Sequence, residues 1–298
     1  MKKTARLKAK SSYVKPLLTE ANRIARLAFA KSFLRPSLNG HHVFVNMYDQ
    51  VHVDEKWFFL TKVKRRIYVY ADEEVATRAV QSNSFITKVM FLAAVARPYD
   101  YRTRKFFDGK LGVWPFVKVE PAEQSRKNRP RGTLITSPQN VTGEVYREMI
   151  LRKVIPSIKA NLPGARSREI VLQQDNAGPH SQMTTQFLKS QGVRGVVVAP
   201  QPPNSPDFNV LDLGFFHSIQ SLQHHKRTRN IEELVGAVGE ALFEFPVETL
   251  SKTFITLQKV METSISIRGG NEFKLPHMKK DSTISDLSTF NVEFLLNE

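Results

Sequence analysis

Residues 50–60 (QVHVDEKWFFL), 65–70 and 85–96 are each rich in β-branched and aromatic side chains, and each predicts a strand. Arg97-Pro98 closes the third. Shorter apolar runs at 170–174 and 193–199 predict buried strands. They alternate with segments in helical spacing, 141–160 (Val145, Met149, Val154 and Ile158 among its apolar positions) and 181–191. Pro156 should kink or end the first of these helices. Strands alternating with helices predict an α/β sheet covered on both faces. Ser205-Pro206-Asp207 starts a further helix expected to run through Gln223, with Ser205 as its cap and Pro206 in the first turn, where a missing N–H costs nothing. Two amphipathic helices, 231–244 and 248–267, follow before Gly269-Gly270. The polar tail beyond them is expected to fray.

At the other end, Thr19 can cap a helix with Ile24, Leu27, Ala28 and Leu34 on one face and Arg23, Arg26 and Lys31 outside, ended by Asn39-Gly40. Residues 110–119 (KLGVWPFVKV) predict an exposed hairpin, and 120–133 a polar, basic loop. The chain therefore divides into a basic arm and linker helix (1–48), a main body (49–268) and a polar C-terminal tail (269–298).

Charge adds a partner to this outline. The 298 residues hold 44 Lys and Arg against 28 Asp and Glu, a net +16, and residues 1–48 hold ten of those cations with Glu20 as their only acid. Such an excess points to a polyanion. A transit peptide is also basic and acid-poor, but here a capped helix follows the basic stretch, and a nucleic-acid arm accounts for the charge equally well. Cysteine is absent, so any metal must be held by oxygen ligands or histidine. The longest apolar run, from Val89 to Ala96, falls far short of the roughly 20 residues of a membrane span, so no membrane partner is expected.

Three aspartates occupy unusual positions. Asp54 interrupts the first strand, Asp175 follows the apolar run IVLQQ, and Asp212 lies in the helix opened by Ser205-Pro206 among Leu211, Leu213, Phe215 and Phe216. Ligands of α/β sheets bind at the carboxyl ends of strands, and Asp175 holds such an end. Any one of these aspartates alone reads as a cap, turn or surface group. Brought together they would repel one another unless a cation neutralised them, and hard oxygen ligands select Mg²⁺ or Mn²⁺. Two such ions could activate an attacking oxygen and stabilise a leaving one in phosphoryl transfer.

The segments VHVDEKWFFLTK (51–62), FITKVMFLAAVARP (85–98), KLGVWPFV (110–117), QQDNAGPH (173–180) and QPPNSPDFNVLDLGFF (201–216) together resemble the DDE/D transposases of the mariner superfamily. The resemblance is closest to the plant-type mariner-like elements and spans roughly residues 11 to 265. It implies a ribonuclease-H-like α/β domain, a mixed sheet of about five strands with helices on both faces and a C-terminal helical cover. It also implies Asp54, Asp175 and Asp212 as catalytic metal ligands for two Mg²⁺ or Mn²⁺ ions, with DNA cleavage followed by strand transfer. DNA is then the partner, a homodimer a candidate assembly, and the nucleus the expected compartment. Two departures stand out. The 36 residues between Asp175 and Asp212 are a few less than in plant-type relatives, and the paired N-terminal helix-turn-helix modules of the family have no counterpart in residues 1–48. A DNA-binding relic that no longer transposes is therefore the rival reading, and a general structure-selective nuclease a third.

Other residues carry weaker signals. Lys62, Lys64, Arg65 and Arg66, and Arg126, Lys127, Arg129 and Arg131, are candidate phosphate contacts. Glu55 should point to the strand face opposite Asp54, as an ion-pair partner rather than a ligand. His180 reads as a structural hydrogen-bonding group or a phosphate contact. Trp57 and Trp114 read as packing residues, with base stacking as the alternative for Trp114. The His224-His225-Lys226-Arg227 run reads as a solvated helix end.

Overall fold

A computed structural model describes residues 14–61, 86–98, 106–125, 129–275, 278 and 280–295. Its centre is a five-stranded mixed sheet in the order β5-β4-β3-β8-β9. Strands β3 (Gln50–Phe59), β4 (Lys88–Ala96) and β5 (Lys110–Pro115) run antiparallel, and β8 (Ile170–Gln174) and β9 (Val196–Pro200) add to β3 in parallel. The expected strand at 65–70 lies outside the described residues.

Side-chain alternation gives the sheet two cores. Phe58, Phe91, Ala93 and Val95 pack against the helices α6 (Ile231–Glu244) and α7 (Val247–Ser266), with Phe215 and Phe216 between. On the other face Val51, Val53, Leu92 and Ala94 meet the helix pair α2 (Gly143–Met149) and α3 (Ile155–Asn161) and the short helix α4 (Thr185–Ser190). This is the ribonuclease-H-like arrangement, with helices on both faces and a C-terminal helical cover. Among the described residues, no helix is long and apolar enough to cross a membrane.

Several local expectations are corrected. The 110–119 segment is not a hairpin: β5 is the edge strand of the main sheet, and Trp114 pairs with Leu92 and lies over Gly112, where a Cβ would come within 2.3 Å of the indole. After the turn at Phe116, β6 (Val117–Pro121) pairs instead with β7 (Leu134–Pro138), so the basic loop becomes the end of a two-stranded ribbon. The helix expected over 141–160 is split by a π-helical turn, Ile150–Val154, and Pro156 sits in the first turn of α3, where its missing N–H is tolerated.

The helix expected from Ser205 to Gln223 is also divided. A 3₁₀ turn, Pro206–Phe208, gives way to extended backbone at Asn209, then a π-helical turn, Leu211–Phe215, and finally α5 (Phe216–Gln223). Ser205 does not cap it; its hydroxyl donates to the Pro203 carbonyl at 2.9 Å.

The terminal segments pack together. Helix α1 (Glu20–Lys31) is capped by Thr19 as expected and ends before Leu34, which belongs to β1 (Leu34–Pro36). Arg26, expected outside, is fully buried: it makes a bidentate pair with Asp207 at 2.7 and 2.8 Å, and its Nε donates to the Gly269 carbonyl at 2.9 Å. Ile24, expected inside, is 61% exposed. The tail does not fray over 284–295, because β10 (Glu293–Leu295) pairs with β2 (His41–Phe44), which also carries β1. Buried Arg97 holds the approach to β10 by donating to Asn291 Oδ1 at 2.7 Å and to the Leu287 carbonyl at 3.3 Å.

Candidate active site

Register explains why the first two aspartates are neighbours. The β3–β8 ladder pairs Gln50 with Val171, Val51 with Leu172 and His52 with Gln173, then stops. Continued by two residues, the same register would set Asp54 beside Asp175, just past the point where the β3–β8 ladder stops, at the strand ends where α/β sheets bind ligands. Asp212 comes from the other direction, on the π-helical turn that follows Asn209.

Asn209 joins these pieces. Its side-chain Nδ2 donates to Asp54 Oδ2 at 3.3 Å and to the Val53 carbonyl at 3.4 Å, while its Oδ1 accepts the Leu211 N–H at 3.0 Å. The break in the expected helix therefore anchors the Asp212 turn to β3. Asp54 Oδ1 accepts the Glu55 N–H at 2.7 Å. Asn209 did not stand out in the sequence, since an Asn after Ser-Pro-Asp reads as part of the helix start.

Asp54 and Asp212 act on each other's ionisation. Burial pushes the Asp54 carboxyl well above its ordinary range, and the charges of Asp212 and Glu55 push it further. Asp212 is also raised, chiefly by the protein packed around its carboxyl, although its residue surface opens to solvent and Lys56 pulls the other way. Carboxyls that disfavour each other's ionised forms are the donor chemistry that a hard divalent cation neutralises.

Asp175 is held differently. Its Oδ1 accepts the Ala177 N–H at 3.0 Å and a bond from His180 Nδ1, and His180 Nε2 bonds Glu55 Oε1 at 3.0 Å. Burial alone would raise the Asp175 carboxyl, but the bonds from His180 and Ala177 outweigh it and leave it below the ordinary value. Burial likewise works against a charged His180, yet its bonds to Asp175 and Glu55 and their two charges raise it to about 10. The ring is 4% exposed and stacks on Tyr146 with centroids 4.0 Å apart.

The three aspartates thus face one region, and the charge of Asp175 acts on both Asp54 and Asp212. They do not form a closed ligand set: among the described residues no three His, Asp or Glu side chains stand close enough to hold a metal ion. Glu55 lies on the strand face opposite Asp54 and is an ion-pair partner, as its spacing predicts. Arg129 and Arg131 lie at the end of the β6–β7 ribbon. Lys62, Lys64, Arg65, Arg66, Arg126 and Lys127 lie outside the described residues. Lys226, in the expected solvated run, pairs with Glu244 at 2.8 Å and also with Glu240. Trp57 carries Lys88 over its ring at 4.4 Å.

No protein-family model matches the chain, and no curated protein matches its sequence. Solved structures do match. A pre-cleavage Mos1 transpososome superposes with a TM-score of 0.64 at 16% identity, covering 91% of this chain and 69% of that one. The Mos1 mariner paired-end complex with Mn gives 0.64 at 17% identity, over 91% and 69% of the two chains. The catalytic domain of Mos1 mariner transposase gives 0.57 at 15% identity, over 88% of this chain and all of that one. The chain therefore has the fold of the Mos1 mariner transposase catalytic domain.

Proposed function

We propose that this chain is the catalytic core of a plant-type mariner-like transposase, a metal-dependent polynucleotidyl transferase that cuts a DNA phosphodiester and joins the freed 3′-hydroxyl to target DNA. The observation that carries the reading is the register of β3 on β8, which continued by two residues brings Asp54 alongside Asp175, together with the Asn209 side chain, which ties Asp54 to the turn that carries Asp212. Asp54, Asp175 and Asp212 would hold the Mg²⁺ or Mn²⁺ ions, two being the proposed number. A bound divalent cation supplies positive charge for the developing oxyanion and acidity for the attacking oxygen. The chain's own residues do the rest. Asn209 orients Asp54, and Lys56 faces Asp212 with a charge that favours its ionised form.

DNA is the assigned partner. Lys62, Lys64, Arg65 and Arg66, with Arg126, Lys127, Arg129 and Arg131, are its proposed phosphate contacts, a homodimer the proposed assembly and the nucleus the compartment. The fold shared with the Mos1 transposase supports this assignment over a general nuclease.

Asp175→Asn tests the reading. It keeps shape and most hydrogen-bonding capacity but removes the charge that attracts a hard cation. Cleavage of DNA in Mg²⁺ or Mn²⁺ should fall at least about 10³-fold, while DNA binding is retained. Asp54→Asn and Asp212→Asn should behave alike, and double variants should be hardly worse than single ones, because ligands of one site act as a unit. Cleavage at the wild-type rate in these variants would exclude the metal assignment. A wild-type protein that binds DNA but never cuts it in either metal would be the relic.

A further inference from the structure

Glu55 and His180 are outside the three-aspartate set, yet the structure commits both to one member of it. Glu55 projects from β3 toward the α2 side of the sheet, away from Asp54, and its side chain is 10% exposed. His180 sits in the 3₁₀ turn Gly178–His180 that follows Asp175. Its ring lies past the end of the β3–β8 ladder, where Nε2 meets Glu55 and Nδ1 meets Asp175.

The ring has little freedom to do otherwise. Tyr146, fully buried, stacks on it, and the Tyr146 hydroxyl donates to Gln174 Oε1 at 3.1 Å. Gln174 Nε2 in turn donates to the carbonyls of His180 and Met183 at 3.1 and 3.2 Å. Both side chain and backbone of His180 are thus fixed by groups in the core. The bonds from His180 and Ala177 fall on Asp175 Oδ1, and Oδ2 receives no hydrogen bond from a described residue.

We infer that Glu55 and His180 are positioning residues: Glu55 fixes the His180 ring, and the ring clamps Asp175 Oδ1 so that Oδ2 is presented to a divalent cation. The inference rests on the proposed function, since it assumes that Asp175 is a ligand. A carboxylate turned by a fixed neighbour loses less freedom when it binds a cation than one that must be ordered first, and partners of this kind typically contribute 10–100-fold to metal affinity.

The test is Mn²⁺ binding by calorimetry to the metal-stripped protein, with thermal unfolding in EDTA as the control for folding. His180→Phe keeps the stack on Tyr146 and roughly the volume but removes both hydrogen bonds, so it should weaken Mn²⁺ binding about 10–100-fold with little change in unfolding temperature. Glu55→Ala should weaken it in the same direction. Glu55→Gln retains an oxygen that accepts from Nε2–H and should recover most of the loss, which a net-charge role for Glu55 would not produce, while a merely structural role would lower the unfolding temperature of Glu55→Ala in EDTA. Asp175→Asn is the reference. Should Asp175→Asn lose Mn²⁺ while His180→Phe and Glu55→Ala bind it like wild type, the positioning role is wrong and the proposed function stands. Should Asp175→Asn itself bind like wild type, Asp175 is not a ligand and both fall. Glu55 lies past the last pair of the β3–β8 ladder, and Glu55→Ala removes only side-chain atoms beyond Cβ, so it is expected to fold even if His180→Phe does not, and one variant always decides.

Discussion

Asp54 illustrates how a half-buried acid can be unfavourable to the fold yet placed for a task. Burial and the neighbouring charges of Asp212 and Glu55 all disfavour its ionised form. An acid whose carboxyl is raised on folding contributes its share of stability below its ordinary value and loses it as pH rises through the raised one. At neutral pH the metal-free protein carries this cost, so Asp54→Asn should unfold a few degrees higher than wild type in EDTA. The order should reverse with Mn²⁺: at one hundred times the dissociation constant, wild type gains about 2.7 kcal/mol by mass action and the variant does not. An Asn variant less stable than wild type in EDTA would mean that the acid is not strained in this way. His52, two residues earlier, has the opposite sign. Its ring is fully buried edge-on to Phe254, Nδ1 has no hydrogen-bond partner among the described residues, and burial pulls it down to about 3 from 6.5. Its stability contribution is complete above pH 6.5 and is lost as pH falls toward 3, by up to about 1.4 kcal/mol per pH unit. His52→Leu should therefore flatten the unfolding temperature against pH between 6 and 4, and an unchanged slope would count against the burial assigned to it.

At the scale of elements, the helix α1 is locked to the site by contacts that local spacing cannot reveal. Arg26 pairs with a residue 181 positions away, and Asp207 lies two residues before the Asn209 that holds Asp54. Removing one partner of a buried pair leaves the other uncompensated, so Arg26→Ala should cost about 3–5 kcal/mol in urea unfolding. Gly269 closes the same junction: its φ is +82°, and a Cβ there would stand 2.0 Å from the Arg23 carbonyl oxygen. Gly269→Ala meets rigid backbone and a left-handed conformation together, so a loss of about 2 kcal/mol or more is expected, and a midpoint equal to wild type would remove the close approach. These contacts mark the limit of what the sequence discloses. Strands β3 and β8 and helix α6 follow from periodicity, because each buries one regular set of side chains. The division of 205–223 does not, since the extended Asn209 exists to satisfy Asp54 and the Val53 carbonyl. The three aspartates are legible from their motifs. The link from Glu55 to Asp175 is not, because it runs through a histidine that joins the two faces of the sheet.

Across the whole molecule, the excess of +16 has to be divided between charges that face solvent and charges already satisfied within the fold. Arg26 belongs to the second group, being fully buried against Asp207, and so does Lys226, which pairs with Glu240 and Glu244. Arg131 belongs to the first: it is exposed at the end of the β6–β7 ribbon, where only its backbone N–H is engaged by Ser125 Oγ at 3.0 Å among its hydrogen bonds to described residues. If DNA is bound through phosphates, log affinity should fall linearly with log salt, with a slope near −0.9 for each phosphate neutralised. Arg131→Gln should then weaken binding evenly across sequences and reduce the slope by about 1. Lys226→Gln is the matched control: it removes the same formal charge from a lysine already held by two carboxylates, so the slope should stay as in wild type. Equal changes in both variants would mean that binding follows net charge alone, and a wild-type affinity indifferent to salt would remove the phosphate backbone as the main contact.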